Sequence, residues 1–316
     1  MRRELFLMFL ATGGVLTIAS VTGVRLRAGA RENAVFGRLD NLNARIKAWW
    51  WITLIFGGAV FAGRIGVIAL FGVVSFIALR EFLATTSVPA ADRRTVVTSY
   101  LIALPIQYGL IGFGRDEWFA AFLPMFGLLL VPLLNVFAGD TRNYLARTSE
   151  LLWGLLLCVY CVSFVPALLM LQIAGYRDRQ VLLVEFLALV TQTSDVMQYV
   201  WGKLIGRHKI APEISPAKTV EGLMGGIASG TALGAGLWWM TPFSVVQAGA
   251  MAFLITLAGF AGGLVMSAIK RDRGLKDWSQ LIPGHGGMLD RVDSIWLSAP
   301  MFYYATRCFF GYNQVT

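Results

Sequence analysis

The sequence predicts an all-α integral membrane protein, a polytopic bundle of about nine or ten transmembrane helices with a polar cavity that faces the cytoplasm. Of its 316 residues, 57% are hydrophobic and 14% are charged, and the mean hydropathy is +0.65. A soluble domain usually carries about 25% charged residues. The surplus of apolar side chains needs lipid around it, which excludes soluble enzymes, disordered chains and secreted disulfide scaffolds.

Ten stretches are candidate spans, because a transmembrane helix needs roughly 20 mostly apolar residues. They are residues 4–24, 48–63, 66–84, 96–113, 118–137, 150–173, 181–202, 221–240, 244–268 and 292–310. Little more than Arg64 separates the second from the third, so these two form either a re-entrant segment or a tightly turned pair. The first begins close to Met1 without a small-residue cleavage site followed by a mature domain, so we expect it to be retained rather than removed as a signal peptide.

The basic residues divide unequally between the two sides of such a ten-span bundle. When alternate loops are assigned to opposite sides, 20 of the 27 lysines and arginines fall on one side. Short loops rich in these residues stay in the cytoplasm, so that side is predicted to be cytoplasmic, with both termini outward. A net charge of +9 would suggest nucleic acid in a soluble protein. Here we attribute it to membrane orientation and anionic substrates, and we expect no nucleic-acid partner.

The two halves of the chain differ in polar content. Residues 1–180 are predicted to be a transmembrane scaffold, whereas residues 181–316 hold the polar motifs and are predicted to be the catalytic half of one membrane unit. The polar stretch 25–47 fits an interfacial amphipathic helix or an ordinary connecting loop equally well. Cys158 and Cys161 lie inside an apolar run without further ligands, so we interpret them as lipid-buried side chains rather than a zinc or redox site.

Asp195 is the first candidate for chemistry, because it lies within the apolar helix predicted over residues 181–202. An ionised carboxylate at that depth is costly unless it binds a cation or faces water. We therefore expect Asp195 to bind a metal ion or substrate, with pairing to a structural lysine as the alternative. Glu185 lies ten residues nearer the outer end of the same helix, where a surface role is expected.

The next segment, GKLIGRHKIAPEISPAKTVEGLMGG (residues 202–226), joins basic residues to two prolines that prevent helix continuation. Lys218, Thr219 and Glu221 stand at the start of the following predicted helix, where free amides and the helix dipole favour an anion. This pattern predicts a phosphate-binding turn. The alternative is a loop that is basic only for topology.

Glycines recur at four-residue spacing in the helix that follows this turn. They are Gly226, Gly230 and Gly234. Small residues at this spacing predict a face for close helix packing. That face would serve a homodimer or an intramolecular contact equally well.

A third segment, SAIKRDRGLKDWSQLIPGHGGMLDRVDS (residues 267–294), combines cations, acids and a glycine-rich turn. Asp290 and Asp293 are three residues apart at the start of a predicted helix and so share a face. Two carboxylates on one face beside glycines suit a hard divalent cation and the phosphates of its substrate. A solvated loop with salt bridges is the alternative, and it accounts for the charges but not for the Gly-His-Gly-Gly turn.

Residues 267–294 closely resemble the signature of the phosphatidate cytidylyltransferases, also called CDP-diacylglycerol synthases, and residues 195–222 resemble that family's second conserved block. The resemblance is specific over roughly residues 190–295. It implies that CTP and phosphatidate, or a related lipid phosphate, give CDP-diacylglycerol and pyrophosphate, with Mg²⁺ required and K⁺ often involved. It also implies a bacterial inner membrane with the active site on the cytoplasmic side.

The residue pattern and the resemblance together predict a site of twelve residues. The predicted Mg²⁺ ligands are Asp195, Asp277, Asp290 and Asp293. The predicted catalytic residues are Asp290, Asp293, Lys270 and His285, the last as a hydrogen-bond donor. The triphosphate or the lipid headgroup is predicted to contact Lys218, Thr219, Arg271, Lys276, Gly286 and Gly287.

The sequence departs from the family it resembles at one position. The signature is usually preceded, four residues before its first serine, by an aspartate that binds metal, and here Gly263 stands in that place. The chain thus resembles a divergent branch, and an altered-specificity or non-catalytic relative is the second interpretation. A transporter, suggested by the span count and Asp195, is disfavoured because the polar motifs are concentrated in one half.

Overall fold

The computed structural model describes residues 2–29, 33–86, 92–282 and 286–311. Its helices, in chain order, are α1 (Arg2–Gly29), α2 (Asn33–Phe61), α3 (Gly63–Ala84), α4 (Arg93–Thr98), α5 (Leu104–Gly112), α6 (Asp116–Val136), α7 (Tyr144–Leu155), α8 (Val162–Ala167), α9 (Val181–Leu204), α10 (Val220–Gly236), α11 (Val245–Asp272), α12 (Leu289–Val292) and α13 (Ile295–Gly311). Wider π-helical turns, Ser99–Ala103 and Leu156–Cys161, join α4 to α5 and α7 to α8. Between α9 and α10, strands β1 (Lys209–Ala211) and β2 (Ser215–Thr219) form an antiparallel hairpin.

The prediction of an all-α polytopic membrane protein is confirmed. Each predicted span falls on a helix or on helices joined end to end. Seven segments of the described chain are long and apolar enough to cross a membrane. They are Glu4–Ala28, Gly63–Ala84, Arg93–Gly112, Asp116–Val136, Tyr144–Met170, Val181–Leu204 and Val245–Asp272. Helices α10 and α13 have 17 residues each, about 25 Å of helix, so the count of nine or ten spans stays a prediction.

The described residues of the polar stretch 25–47 form neither a separate interfacial helix nor a connecting loop. Its first residues continue α1 as far as Gly29, and its residues from Asn33 onward belong to α2. Arg27 Nε pairs with Asp40 Oδ1 at 2.7 Å between these two helices. The polar residues therefore lie on helices that extend past their apolar spans.

Helices α2 and α3 form the tightly turned pair that the sequence allowed. Ala62 alone separates them, and Gly63 has a φ of 73°, a conformation that favours glycine. A Cβ at Gly66 would overlap the carbonyl oxygen of Ala59. The turn therefore depends on glycine at both positions.

The glycine face of α10 packs inside the molecule. A Cβ at Gly226 would overlap Gln198 of α9, and one at Gly230 would overlap Thr256 of α11. This face therefore makes an intramolecular contact and holds α9, which carries Asp195, close to α10. The homodimer stays a prediction.

The hydrophobic core extends through both halves of the chain. The rings of Phe164 in α8 and Tyr303 in α13 lie 5.2 Å apart between centroids, and Phe119 of α6 joins the same cluster. Cys158 lies in this core and is fully buried by protein rather than by lipid, because its helical segment is central in the bundle. Cys161 is partly buried.

Candidate functional site

A cavity of about 990 Å³ lies between α2, α9, strand β2, the start of α10, α11 and the loop that leads into α12. Eight of the twelve residues predicted from the sequence line it. They are Asp195, Lys218, Thr219, Lys276, Asp277, Gly286, Asp290 and Asp293. The fold therefore brings the two sequence blocks together around one space.

Asp290, in the short helix α12, anchors the loop that precedes it. Its Oδ1 accepts a hydrogen bond from Lys270 Nζ at 2.7 Å, and both side chains are buried. Its Oδ2 accepts hydrogen bonds from the backbone N–H groups of Trp278 at 3.0 Å and Gly287 at 2.9 Å. Gly286 has a φ of 80°, and a Cβ there would lie 2.7 Å from Asp290 Oδ2, so this turn requires glycine. In these contacts the residues support the loop, and their catalytic and binding roles stay predictions.

Glu81, near the end of α3, anchors the same loop from the first half of the chain. Its Oε1 accepts hydrogen bonds from the Ser279 hydroxyl at 2.7 Å and the Met288 N–H at 2.9 Å, and its Oε2 accepts one from the Leu289 N–H at 2.8 Å. A carboxylate here satisfies amides that the start of α12 leaves without a helical partner. Sequence reasoning missed Glu81, although an acid in an apolar helix was the criterion that selected Asp195.

Asp195 of α9 and Asp293, just after α12, both face the cavity. They lie close enough to interact electrostatically with each other and with Lys218. Burial raises the pKa of Asp293, and the neighbouring Lys270 and Lys218 oppose that rise. Asp195, Asp293 and the Lys218 ammonium therefore lie near one another in the cavity.

Glycines of α11 allow the chain at Asp293 to approach closely. A Cβ at Gly262 would lie 3.0 Å from the Asp293 carbonyl oxygen, and one at Gly259 would lie 3.5 Å from Ser294 Cβ. The Ser294 hydroxyl in turn interacts with the Asp195 carboxylate. Helix α11 therefore fixes the backbone that presents one acid beside the other.

Lys218 extends from β2 over α11. Its Nζ lies 4.6 Å from the ring centroid of Phe260, a cation–π contact. A Cβ at Gly263 would lie 2.9 Å from the same Nζ. Burial lowers the pKa of Lys218, while Asp195 and Asp293 oppose that change. The ammonium therefore lies beside the position at which the sequence departs from the family it resembles.

Side chains at the start of α10 form hydrogen bonds within the protein. Thr219 caps the helix, its Oγ1 accepting a hydrogen bond from the Gly222 N–H at 3.1 Å. The Glu221 carboxylate accepts hydrogen bonds from the backbone N–H groups of Arg207 at 3.0 Å and His208 at 3.2 Å. Thr219 thus caps α10 and Glu221 holds the chain that leads into β1, and phosphate binding at this turn stays a prediction.

The remaining predicted residues lie at or beyond the edge of the cavity. Lys276 and Asp277 are exposed at its rim. Arg271 braces the hairpin against the loop after α11, its Nε donating to the Ile214 carbonyl oxygen at 3.2 Å. His285 lies outside the described residues.

The carboxylates that face the cavity fit a magnesium ion that is held in large part by substrate. Among residues that the structure describes, no group of three or more His, Cys, Asp and Glu side chains is placed to hold a metal. Mg²⁺ commonly uses one or two carboxylates together with water and substrate phosphates. Asp195 and Asp293 supply two such groups, whereas Asp290 is engaged by Lys270 and two amides. The Mg²⁺ and K⁺ sites stay predictions.

Two residues of α2 also line the cavity and were missed at the level of sequence. They are Arg45 and Trp49. The available signal was their four-residue spacing, which places them on one helix face. The first half of the chain therefore contributes side chains to the site as well as a scaffold.

Comparison with known proteins finds relatives that match much of this chain. The chain is 40% identical over 267 residues to the uncharacterized protein YnbB of Escherichia coli (strain K12), covering 83% of this chain and 86% of YnbB. It is 30% identical over 224 residues to the phosphatidate cytidylyltransferase of Staphylococcus saprophyticus, covering 64% of this chain and 86% of that enzyme. It is 42% identical over 113 residues to the phosphatidate cytidylyltransferase of Synechocystis sp., covering 35% and 38%.

The family match extends well beyond the two sequence blocks. The model of the cytidylyltransferase family matches residues 43–309. This range includes every described residue that lines the cavity, from Arg45 to Ser294. The chain belongs to the cytidylyltransferase family.

Proposed function

We propose that this protein transfers a cytidylyl group from CTP to phosphatidate or a related lipid phosphate, giving CDP-diacylglycerol or its counterpart and pyrophosphate. One observation carries the proposal: two acids and one ammonium, Asp195, Asp293 and Lys218, face a single cavity in a bundle of membrane helices. This combination suits nucleotidyl transfer to a lipid, because acids that hold a divalent cation, together with an ammonium, can neutralise a polyphosphate beside an acceptor that stays in the bilayer.

Asp195 and Asp293 would hold Mg²⁺, which when bound supplies positive charge to the polyphosphate. Lys218 adds a positive charge close to these two acids, and its contact with Phe260 limits where the ammonium can lie. Asp290 and Glu81 keep the loop between α11 and α12 in place. The chain thus orients the reactants and places charge where the transferring phosphoryl group needs it.

The reaction forms one bond and breaks one. An oxygen of the lipid phosphate attacks the α-phosphorus of CTP in line, and the bond from that phosphorus to the bridging α–β oxygen breaks. Pyrophosphate leaves with the electron pair of that bond. A phosphate monoester has its second pKa at about 6 and is largely ionised near neutral pH, so the protein needs no general base.

We place this cavity at the cytoplasmic face of a bacterial inner membrane, where CTP is available. The excess of lysine and arginine in the loops on the same side supports that orientation. Membership of the cytidylyltransferase family favours nucleotidyl transfer over the transporter interpretation.

A relative with a different acceptor or nucleotide is the second candidate. Gly263 supports it, because Lys218 lies where a side chain at that position would extend. A changed balance of charge at this point would alter which phosphate groups the cavity accepts. The first assay below also tests this candidate.

The test uses purified protein with labelled CTP, Mg²⁺ and dioleoyl phosphatidate, and the measured quantity is labelled CDP-lipid. We expect product from the wild type, none after chelation of Mg²⁺, and a loss of roughly 100-fold or more in Asp293→Asn, because the variant loses a charged group that would hold the ion. Glu117→Gln is the matched control, since Glu117 is an exposed acid at the start of α6, and it should keep wild-type activity.

A panel of lipid phosphates and of CTP against dCTP separates the two candidates. Product with another acceptor or nucleotide but not with phosphatidate and CTP would support altered specificity. No product with any combination would contradict the proposed function. Full activity in Asp293→Asn would remove this residue from the mechanism.

A further inference from the structure

Of the described elements that precede residue 181, α2 alone lines the cavity, and it does so through Arg45 and Trp49. Four residues separate the two, so they project from one face of the helix about 6 Å apart along its axis. Arg45 is exposed and Trp49 is partly buried. This wall therefore pairs a cation with an aromatic ring.

The composition of α2 changes at this point. Residues 40–47 (DNLNARIK) are mostly polar, residues 52–61 are apolar, and three tryptophans, 49–51, stand between them. Tryptophan concentrates at the boundary between bilayer and water. This pattern predicts that Trp49 lies at the interface and that Arg45, one turn further toward water, lies near the depth of the lipid phosphates.

Exposed apolar side chains also line the cavity. Val196 and Tyr199 of α9 line the cavity and are 51% and 63% exposed, and Leu223 of α10 lies beside them. The charged residues that line the rest of the cavity lie on α9, on β2, on the loop before α12, and on and just after α12; they are Asp195, Lys218, Lys276, Asp277, Asp290, Arg291 and Asp293. The cavity thus offers apolar surface suited to acyl chains together with charged groups suited to phosphates.

We propose that Arg45 and Trp49 form the subsite for the acceptor, with the Arg45 guanidinium binding its phosphate monoester and the Trp49 ring packing against its glycerol backbone. This inference rests on the proposed function and adds two specificity-determining residues from the first half of the chain. A guanidinium binds a phosphate through paired hydrogen bonds. A phosphate ester without acyl chains would bind the same guanidinium but would bury no acyl chains against the apolar side chains of the cavity.

The test compares Arg45→Gln with Lys47→Gln. Each removes one positive charge from α2 at nearly the same depth, but Lys47 does not line the cavity. In mixed micelles, Arg45→Gln should raise the KM for phosphatidate by roughly 10- to 100-fold, because a charge-assisted contact is lost. Its KM for CTP and its kcat should stay within about twofold of the wild type. Arg45→Lys should recover part of the loss, and Lys47→Gln should match the wild type.

A binding measurement without CTP separates this inference from the proposed function. Native mass spectrometry should show phosphatidate retained by the wild type and by Lys47→Gln but lost from Arg45→Gln. Glycerol 3-phosphate, which has the phosphate without the chains, should be retained by none of them. Trp49→Phe should keep most of the bound phosphatidate and Trp49→Ala should lose it.

Several results would overturn the subsite. Equal KM values for phosphatidate in Arg45→Gln and Lys47→Gln would overturn it. A rise in the KM for CTP alone in Arg45→Gln would show that Arg45 binds the nucleotide instead. Retention of glycerol 3-phosphate as firmly as phosphatidate would exclude a lipid-specific site. If the wild type makes no CDP-lipid, the proposed function fails, and the binding measurement still decides whether Arg45 holds a lipid phosphate.

Discussion

Four acids in or beside the cavity form two pairs that are used differently. Glu81 and Asp290 each accept three hydrogen bonds from the protein and hold the loop between α11 and α12. Asp195 and Asp293 instead face the cavity and interact with Lys218. The comparison teaches that an acid's residue type and spacing do not reveal its role, whereas the donors that surround it do.

The sharpest test of this comparison is the same substitution made at two positions three residues apart. Asp290→Asn leaves Lys270 buried without its charged partner, so we expect a loss of stability of about 3–5 kcal/mol. Asp293→Asn should leave the melting temperature unchanged or raise it, because a carboxylate whose pKa burial raises becomes a neutral amide. Thermal unfolding in detergent measures both.

A compensating pair completes this test. In Asp290→Asn combined with Lys270→Met, the unpaired buried charge is gone, so most of the stability should return. Equal melting temperatures for the two single asparagine variants would contradict the division between anchoring and cavity-facing acids.

A smaller effect is expected at Glu81. Glu81→Gln keeps one side-chain acceptor for the loop but loses the charge and the second oxygen, which should cost about 1–3 kcal/mol. Hydrogen exchange should become faster at the amides of Met288 and Leu289, because the Glu81 carboxylate accepts a hydrogen bond from each of these N–H groups. Activity should fall moderately, since the same loop carries Gly286.

Glu117→Gln again serves as the control for Glu81→Gln, because it removes an exposed acid on the same chain. Its exchange rates at Met288 and Leu289 should equal those of the wild type. Unchanged exchange in Glu81→Gln would show that the first half of the chain does not hold the loop.

The smallest effect is expected from adding a third acid to the cavity-facing pair. In Gly263→Asp, the new side chain begins 2.9 Å from Lys218 Nζ and would draw the ammonium away from Phe260. A further carboxylate beside Asp195 and Asp293 should lower the Mg²⁺ concentration for half-maximal activity about two- to tenfold. A titration of activity against Mg²⁺ measures the change.

Gly263→Ala separates charge from volume in that experiment. It adds the Cβ without the carboxylate, so its Mg²⁺ requirement should stay that of the wild type. If Gly263→Ala and Gly263→Asp shift the Mg²⁺ titration equally, the shift is caused by displacement of Lys218 rather than by the added carboxylate.

Much of the fold was predictable because the bilayer imposes a simple rule on sequence. Spans must be apolar over their length, so the ten predicted segments coincide with helices. The prediction was wrong for the polar stretch 25–47, since its described residues continue α1 and α2. It was also wrong for Glu185, which is buried rather than at the surface. Hydropathy marks where a helix leaves lipid, and it does not mark where the helix ends.

The candidate site was predictable to the extent that it lies in the two polar blocks. Asp195, Lys218 and Asp293 were selected by residue type, and the fold places all three around one cavity. Glu81 and Arg45 were not selected, because each lies far in sequence from either block. Their relation to the loop and the cavity exists only after α2 and α3 pack against the second half.

The amino-acid sequence by itself determined that this chain is a helical membrane protein with two polar blocks that resemble those of the cytidylyltransferase family, because apolar length and local motifs are properties of short segments. The tertiary structure decided which acids are neutralised by lysine and amides and which remain to face a ligand. It also decided that the N-terminal helices take part in the site. The physical reason is that hydrogen bonding and burial depend on neighbours that packing supplies, and these neighbours come from distant parts of the chain.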